Sequence, residues 1–292
     1  QALVNGFSFV LDNYDISEGL NPHYIVELHK VCLTNVQAKV EKSTPGDLRY
    51  LDCGMACFAG ETSLDSLKEI FIIRANDGTK IFHNKKYNKV AEEMNYEDIF
   101  EFLQKERRIR YRPWYPELSH QQQVALDKKS TLEAFYEVKT YVQKQFSIKL
   151  DEIVIEFNSS ITETKSRDEK LYVFSKLIRD LELLHPFPDG NCRVFACVLL
   201  NHLLIFYDFC PAILYNPNRD GERSYKEFVE EIEIGIDNTK KLLKNSNERV
   251  YGYSILDMSK KDKNDFNTIT EEFVSKLKNT KVHNKKDTIF LD

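Results

Sequence analysis

Along most of this chain, apolar residues recur every three or four positions. Ile25, Leu28, Val31, Cys32 and Leu33 fall on one helical face, with Pro22 in the first turn and Asn21 placed to cap it. Residues 87–147 keep a helical spacing that breaks near Arg112-Pro113-Trp114-Tyr115-Pro116. Leu171, Phe174, Leu177, Ile178, Leu181 and Leu184 predict a helix over 171–184. A loop at 185–190 ends it, and a second helix starts near Asn191. The most apolar run, Val194–Phe206, is too short to span a bilayer and contains Asn201 and His202, so it reads as a buried helix. After a turn cluster at 216–221, residues 225–243 return to helix. Two stretches read as strands. Ile70-Phe71-Ile72-Ile73 and Ile81-Phe82 flank an Asn76-Asp77-Gly78 corner and predict a hairpin over 70–83, and Asp151–Phe157 predicts a further strand. The pattern gives a mainly α protein with a small β-hairpin. Residues 1–245 form the expected domain, with its core at about 20–245. Residues 246–292 form a Lys- and Asn-rich extension with an amphipathic helix at 270–278.

At 292 residues the chain is long enough to bury a sizeable core, and 42% hydrophobic with 30% charged residues fits a globular protein. A net charge of −5 argues against a dedicated nucleic-acid binder, since phosphate contacts there call for a basic excess. The basic run Lys105–Arg112 reads as a solvated face. No membrane span and no secretory signal is visible. The six cysteines are scattered and suit buried free thiols in a reducing, cytoplasmic compartment. Cys53 and Cys57 form a CxxxC pair without a second pair at zinc spacing. His29 and His202 lie on apolar faces and read as structural. The Lys-, Asn- and aromatic-rich composition suits a bacterial effector or toxin.

Candidate chemistry is concentrated in His185-Pro186-Phe187-Pro188-Asp189-Gly190-Asn191-Cys192-Arg193, a loop that enters a helix. Unpaired N–H groups at a helix start favour an anion, and Gly190 permits the backbone geometry of such a nest. Arg193 adds a cationic fork suited to phosphate oxygens. Asp189 is a hard oxygen ligand apt for Mg²⁺ shared with phosphates. His185 titrates near neutrality and suits a general base. Phe187 is an apolar pin for the loop. Together they describe phosphate chemistry on a hydroxyl.

This segment resembles the signature of the Fic (filamentation induced by cAMP) family, His-Pro-Phe-x-Asp/Glu-Gly-Asn-Gly-Arg-x-x-Arg, at His185, Pro186, Phe187, Asp189, Gly190, Asn191 and Arg193. Looser likenesses lie at Ile25–Lys30, Pro45–Arg49, Leu200–Leu204, Pro211–Leu214 and Arg223–Tyr225. The resemblance implies a helical fold with a β-hairpin flap, and transfer of AMP from ATP to a Ser, Thr or Tyr hydroxyl of a target protein. It implies His185 as the base and Asp189 as the Mg²⁺ ligand. Phe187, Gly190, Asn191, Cys192, Arg193 and Tyr225 would form the nucleotide and phosphate site. The flap would align the target by β-augmentation, with 70–83 as its candidate and 151–163 as the alternative.

Two departures change the picture. Cys192 stands where the signature has its last Gly, and the thiol narrows the site or makes it redox-sensitive. Ala196 stands where the second Arg falls, which weakens the case for ATP and brings in UTP, CDP-choline or another pyrophosphate donor. It also leaves the poor inhibitory-pattern matches at Ser8–Asn13 and Ser159–Glu163 without an obvious Arg to pair with. A non-catalytic nucleotide- or partner-binding module is a further alternative. A metal-dependent phosphodiesterase would need more ligands than this region supplies.

Overall fold

Helix caps and buried stripes set most of the architecture. The computed structural model describes residues 2–36, 44–77, 95–127 and 131–244. α1 (Ala2–Asp12) leads into α2 (Pro22–Leu33), whose Asn21 cap accepts the His23 N–H. The long helix α6 (Leu132–Glu163) carries Val138, Val142, Phe146, Leu150, Val154, Phe157 and Ile161 as one buried stripe. α7 (Arg167–Leu184) starts at a capping box between Ser166 and Glu169 and packs along α6. A π-helical stretch (Arg193–Leu199) and α8 (Leu200–Phe206) then run through the core, followed by a 3₁₀ turn (Pro217–Glu222) and α9 (Tyr225–Lys244).

The remaining elements form a satellite. α3 (Leu64–Asp77) and α4 (Tyr96–Glu106) pack with a two-stranded antiparallel sheet, β1 (Met55–Phe58) against β2 (Arg108–Tyr111), with Met55 opposite Tyr111 and Phe58 opposite Arg108. Cys57, Leu67, Ile70, Ile99, Leu103, Ile109 and Tyr111 make a second apolar cluster that includes Leu183 of α7. The sheet is thus anchored two residues before His185. A short helix α5 (His120–Leu126) precedes α6. The fold is mainly α with a small sheet, as the pattern predicts, and among the described residues no helix is long and apolar enough to cross a membrane.

Both strand expectations are corrected. Residues 70–77 belong to α3, and 78–83 lie outside the described residues. Leu67 and Ile70 are buried while Ile72 is 54% exposed, which is a three-residue period rather than an alternation. Ser63 supplies the start signal, its Oγ accepting the Ser66 N–H at 3.0 Å. Residues 151–163 lie inside α6, where Val154 and Phe157 face the core and Ile155 faces outward. The small antiparallel pair that does form joins segments about fifty residues apart, 55–58 with 108–111, instead of neighbours across the 76–78 corner. The 246–292 extension lies outside the described residues.

Candidate active site

α7 ends at His185, which takes a left-handed conformation (φ 49°, ψ 59°) while its N–H still donates to Leu181 O at 2.9 Å. Pro186 cannot continue the helix, so the chain turns out here. Phe187 is fully buried, and His29 of α2 stacks on its ring with 3.8 Å between centroids and 7° between planes. His29 also fixes the loop through its two nitrogens. Gly46 N–H donates to Nδ1 at 2.9 Å, so the proton lies on Nε2, which meets Asp189 O at 2.9 Å. Burial pushes the His29 imidazole down to about 4, which keeps this neutral tautomer.

Asn191 closes the loop from inside. Its Oδ1 accepts Phe187 N–H at 3.1 Å and its Nδ2 donates to Phe187 O at 2.9 Å. The side chain is directed at the loop's own backbone rather than outward. Gly190 has φ +81°, and a Cβ there would stand 2.8 Å from Leu33 Cδ2. Asp189 Oδ1 accepts Gly190 N–H at 2.8 Å, while Oδ2 pairs with Arg193 at 3.1 Å. Asp189 and Arg193 stay partly exposed, so the loop presents one carboxylate and one guanidinium at its surface.

Arg49 is the second brace. Its side chain is buried and donates from Nε to His185 O at 2.5 Å, from Nη1 to Leu51 O at 2.9 Å, and from Nη2 to Trp114 O at 2.6 Å and Leu184 O at 3.3 Å. Its N–H donates to Pro186 O at 2.8 Å. Two of the carbonyls held by the side chain end α7, where a cation is favoured. The guanidinium lies over the Phe146 ring at 4.3 Å.

His185 is 23% exposed, yet its Nδ1 is buried without a hydrogen-bond partner, so the accessible part of the ring is its other edge. Glu182, one turn back on α7 and buried, places Oε2 3.9 Å from Nδ1. Burial first, and Arg49 second, push the His185 imidazole down to about 3, so it is neutral at ordinary pH and has a lone pair to offer.

Three further positions are placed by the fold as follows. Cys192 follows Asn191 in helical geometry and is partly exposed. Ala196, where the signature's second Arg would fall, is fully buried in the core. Tyr225 lies away from the loop, on earlier turns of α7: its OH donates to Asp180 Oδ1 at 2.6 Å, Ser175 Oγ donates to its carbonyl at 2.6 Å, and Arg179 covers its ring at 4.7 Å. Among the described residues no group of three or more His, Cys, Asp or Glu side chains is arranged to hold a metal. Pattern reading missed Glu182 and the bracing roles of His29 and Arg49, two residues that lie within the likenesses at Ile25–Lys30 and Pro45–Arg49. An acid three residues before His185 was the available signal for Glu182; the other two reach the loop from α2 and from the segment after it.

No protein-family model matches the chain. Over 242 residues, 80% of this chain, it is 29% identical to the phosphocholine transferase AnkX of Legionella pneumophila subsp. pneumophila. The chain spans 24% of the length of that protein. The similarity is thus to a transferase of a phosphate-linked group, the class of chemistry that the residues of the 185–193 loop suggest.

Proposed function

We propose that the chain transfers phosphocholine from a pyrophosphate-linked donor of the CDP-choline type to a Ser, Thr or Tyr hydroxyl of a target protein. The observation that carries this is the similarity to a phosphocholine transferase, in a chain whose His185 is a neutral base beside a braced loop. The target hydroxyl oxygen attacks the phosphorus bearing choline, and a new P–O bond forms. The pyrophosphate P–O bond breaks, and the leaving nucleoside monophosphate takes the electron pair. The hydroxyl proton passes to the accessible edge of His185, and Glu182, 3.9 Å from Nδ1, stabilises the imidazolium as it forms. Arg193 and the N–H groups entering the helix face the donor's phosphate oxygens.

Asp189 would hold Mg²⁺ in the mode where one carboxylate is joined by substrate phosphates, sharing an oxygen that now accepts the Gly190 N–H or pairs with Arg193. Bound there, the ion would neutralise charge on the pyrophosphate. The β1–β2 sheet replaces 70–83 as the candidate edge along which a target segment would lie. AMP transfer from ATP, the reaction implied by the motif as a whole, is the competing reading. The buried Ala196 removes the Arg that the signature would offer to a third phosphate.

The test is a donor screen. Wild type and His185→Ala are incubated with Mg²⁺, cell lysate and CDP-choline, ATP, UTP, GTP or CTP, and intact masses are read on enzyme and lysate proteins. A His185-dependent phosphocholine adduct is expected. A nucleotide adduct in its place moves the assignment to nucleotidyl transfer, and nucleotide binding without any adduct leaves a non-catalytic module.

A further inference from the structure

In an α-helix, residues five apart stand about 140° apart around the axis and about 8–9 Å apart at Cα, beyond the reach of a disulfide. The helix entered at Asn191 opens with one α-type bond, Val194 N–H to Gly190 O at 3.0 Å, and then widens. Between Arg193 and Leu199 it winds as a π-helix, and the next N–H, on Leu200, bonds back five residues to Phe195 O. In that wider winding the fifth residue comes round to the same side one turn on, with Cα atoms about 6 Å apart, inside the disulfide range. Cys192 and Cys197 have this spacing across the start of the stretch. Their side chains meet: Cys192 hydrogen-bonds the Cys197 thiol.

The surroundings separate this pair from the other thiols. Cys192 and Cys197 are both partly exposed, whereas Cys32, which also interacts with Cys197, is fully buried. Burial pushes the Cys32 thiol up to about 12, so it stays protonated. The hydrogen bond from Cys192, with Arg193 nearby, holds the Cys197 thiol below its ordinary range and favours its thiolate. The result is a pair of adjacent, partly exposed thiols in the turn that follows the candidate phosphate loop.

We propose that Cys192 and Cys197 are a dithiol oxidation site, closed to a disulfide across the π turn by a low-molecular-weight disulfide such as oxidised glutathione. The Cys197 thiolate attacks the small disulfide, forming a mixed disulfide and expelling one small thiolate. The Cys192 thiolate then attacks Cys197 Sγ and expels the second. Two protein thiols are oxidised, one small disulfide is reduced to two small thiols, and reduced glutathione in excess reverses the exchange. The closed form ties the residue after Asn191 to the next turn, so the loop's redox state is set from within its own helix. The site does not depend on the transferase reading.

The test uses the full chain. Protein is equilibrated with glutathione at stepped ratios of oxidised to reduced form and quenched with N-ethylmaleimide. Intact mass and a tryptic map follow; Arg193 provides a cleavage site between the two cysteines. With the maleimide added in denaturant so that all six thiols count, wild type is expected to lose two of them and to yield a linked peptide pair, its fragment ions placing the bond at Cys192–Cys197 rather than Cys210, that dithiothreitol dissolves. Cys192→Ser is expected to retain one glutathione on Cys197, the trapped intermediate, with its fold checked by circular dichroism. Six maleimide adducts at every ratio, a link at Cys53–Cys57 in place of this pair, or glutathione persisting on Cys197 in the wild type would each overturn the assignment.

Discussion

Replacing Arg49 with Met tests how the loop is held. Met keeps much of the side-chain length and the contact with Phe146, but removes every donor. The carbonyls of His185, Leu184, Leu51 and Trp114 then lose the partners now at 2.5, 3.3, 2.9 and 2.6 Å. A buried acceptor left unsatisfied costs about 1–3 kcal/mol, and the four together exceed what is regained by not burying the guanidinium. The net loss should be about 3–5 kcal/mol, below the sum over four acceptors because the cost of burying the guanidinium is recovered. At about 2–4 °C per kcal/mol for a domain of this size, the melting midpoint should fall by about 6–20 °C. A second effect is electrostatic. Arg49 is the second cause, after burial, of the low imidazole value at His185, so its removal should raise that value while leaving it below 6.5. Urea denaturation reads the first effect, and the ring resonances of His185 across pH read the second. A stability change under 1 kcal/mol would refute the bracing argument. A large loss with an unmoved His185 titration would refute the electrostatic one.

Other predictions follow from the same geometry. His29, His185 and His202 have folded values of about 4, 3 and 4, all below the ordinary 6.5, so the unfolded chain binds protons more readily. Their stabilisation is complete above pH 6.5 and is lost as pH falls toward 4, by up to about 1.4 kcal/mol per pH unit for each residue; a flat profile in denaturant titrations between pH 8 and 5 would count against neutral burial. Gly190→Ala combines a positive φ with a 2.8 Å approach to Leu33 and should cost about 1–2 kcal/mol; in a Leu33→Ala background, which carries its own cavity cost, the clash is relieved but not the backbone strain, so a double variant as stable as Leu33→Ala alone would show that φ is not the constraint. Asn191→Asp keeps the acceptor for Phe187 N–H but loses the donor to Phe187 O, and should cost about 1–3 kcal/mol in the same assay. Unchanged stability there would mean that the loop does not need its internal bracket.

Helices were legible where the information is local. Asn21 with Pro22, and the face running from Leu171 to Leu184, sit on the elements that carry them. The strand reading of 70–73 failed because a run of Ile and Phe carries β propensity, while burial at Leu67 and Ile70 follows tertiary packing against the sheet and α4. The same competition misplaced 151–157, whose Val154 and Phe157 continue a stripe that began at Val138. The true strands gave no local signal. Met55–Phe58 and Arg108–Tyr111 are four residues each, with α3 and α4 between them in the chain, so their pairing is decided by packing at long range.

The site divides along the same line. Nine consecutive residues held its reactive groups, and spacing within them suggested the chemistry. What makes those groups usable comes from elsewhere. A left-handed His185 ahead of Pro186 is held because Arg49, 136 residues away, satisfies the carbonyls at and before it. Asp189 is oriented because His29, 160 residues away, grips its carbonyl and stacks on Phe187. Asn191 shows the limit most clearly. In the motif it reads as a phosphate ligand, whereas its amide bridges both polar groups of the Phe187 backbone. Residue type fixed what Asn191 can bond to, but only the fold decided which partners were within reach. The π winding after it works the same way, since Cys192 and Cys197 are five apart in any reading of the sequence and become neighbours only once that turn is widened.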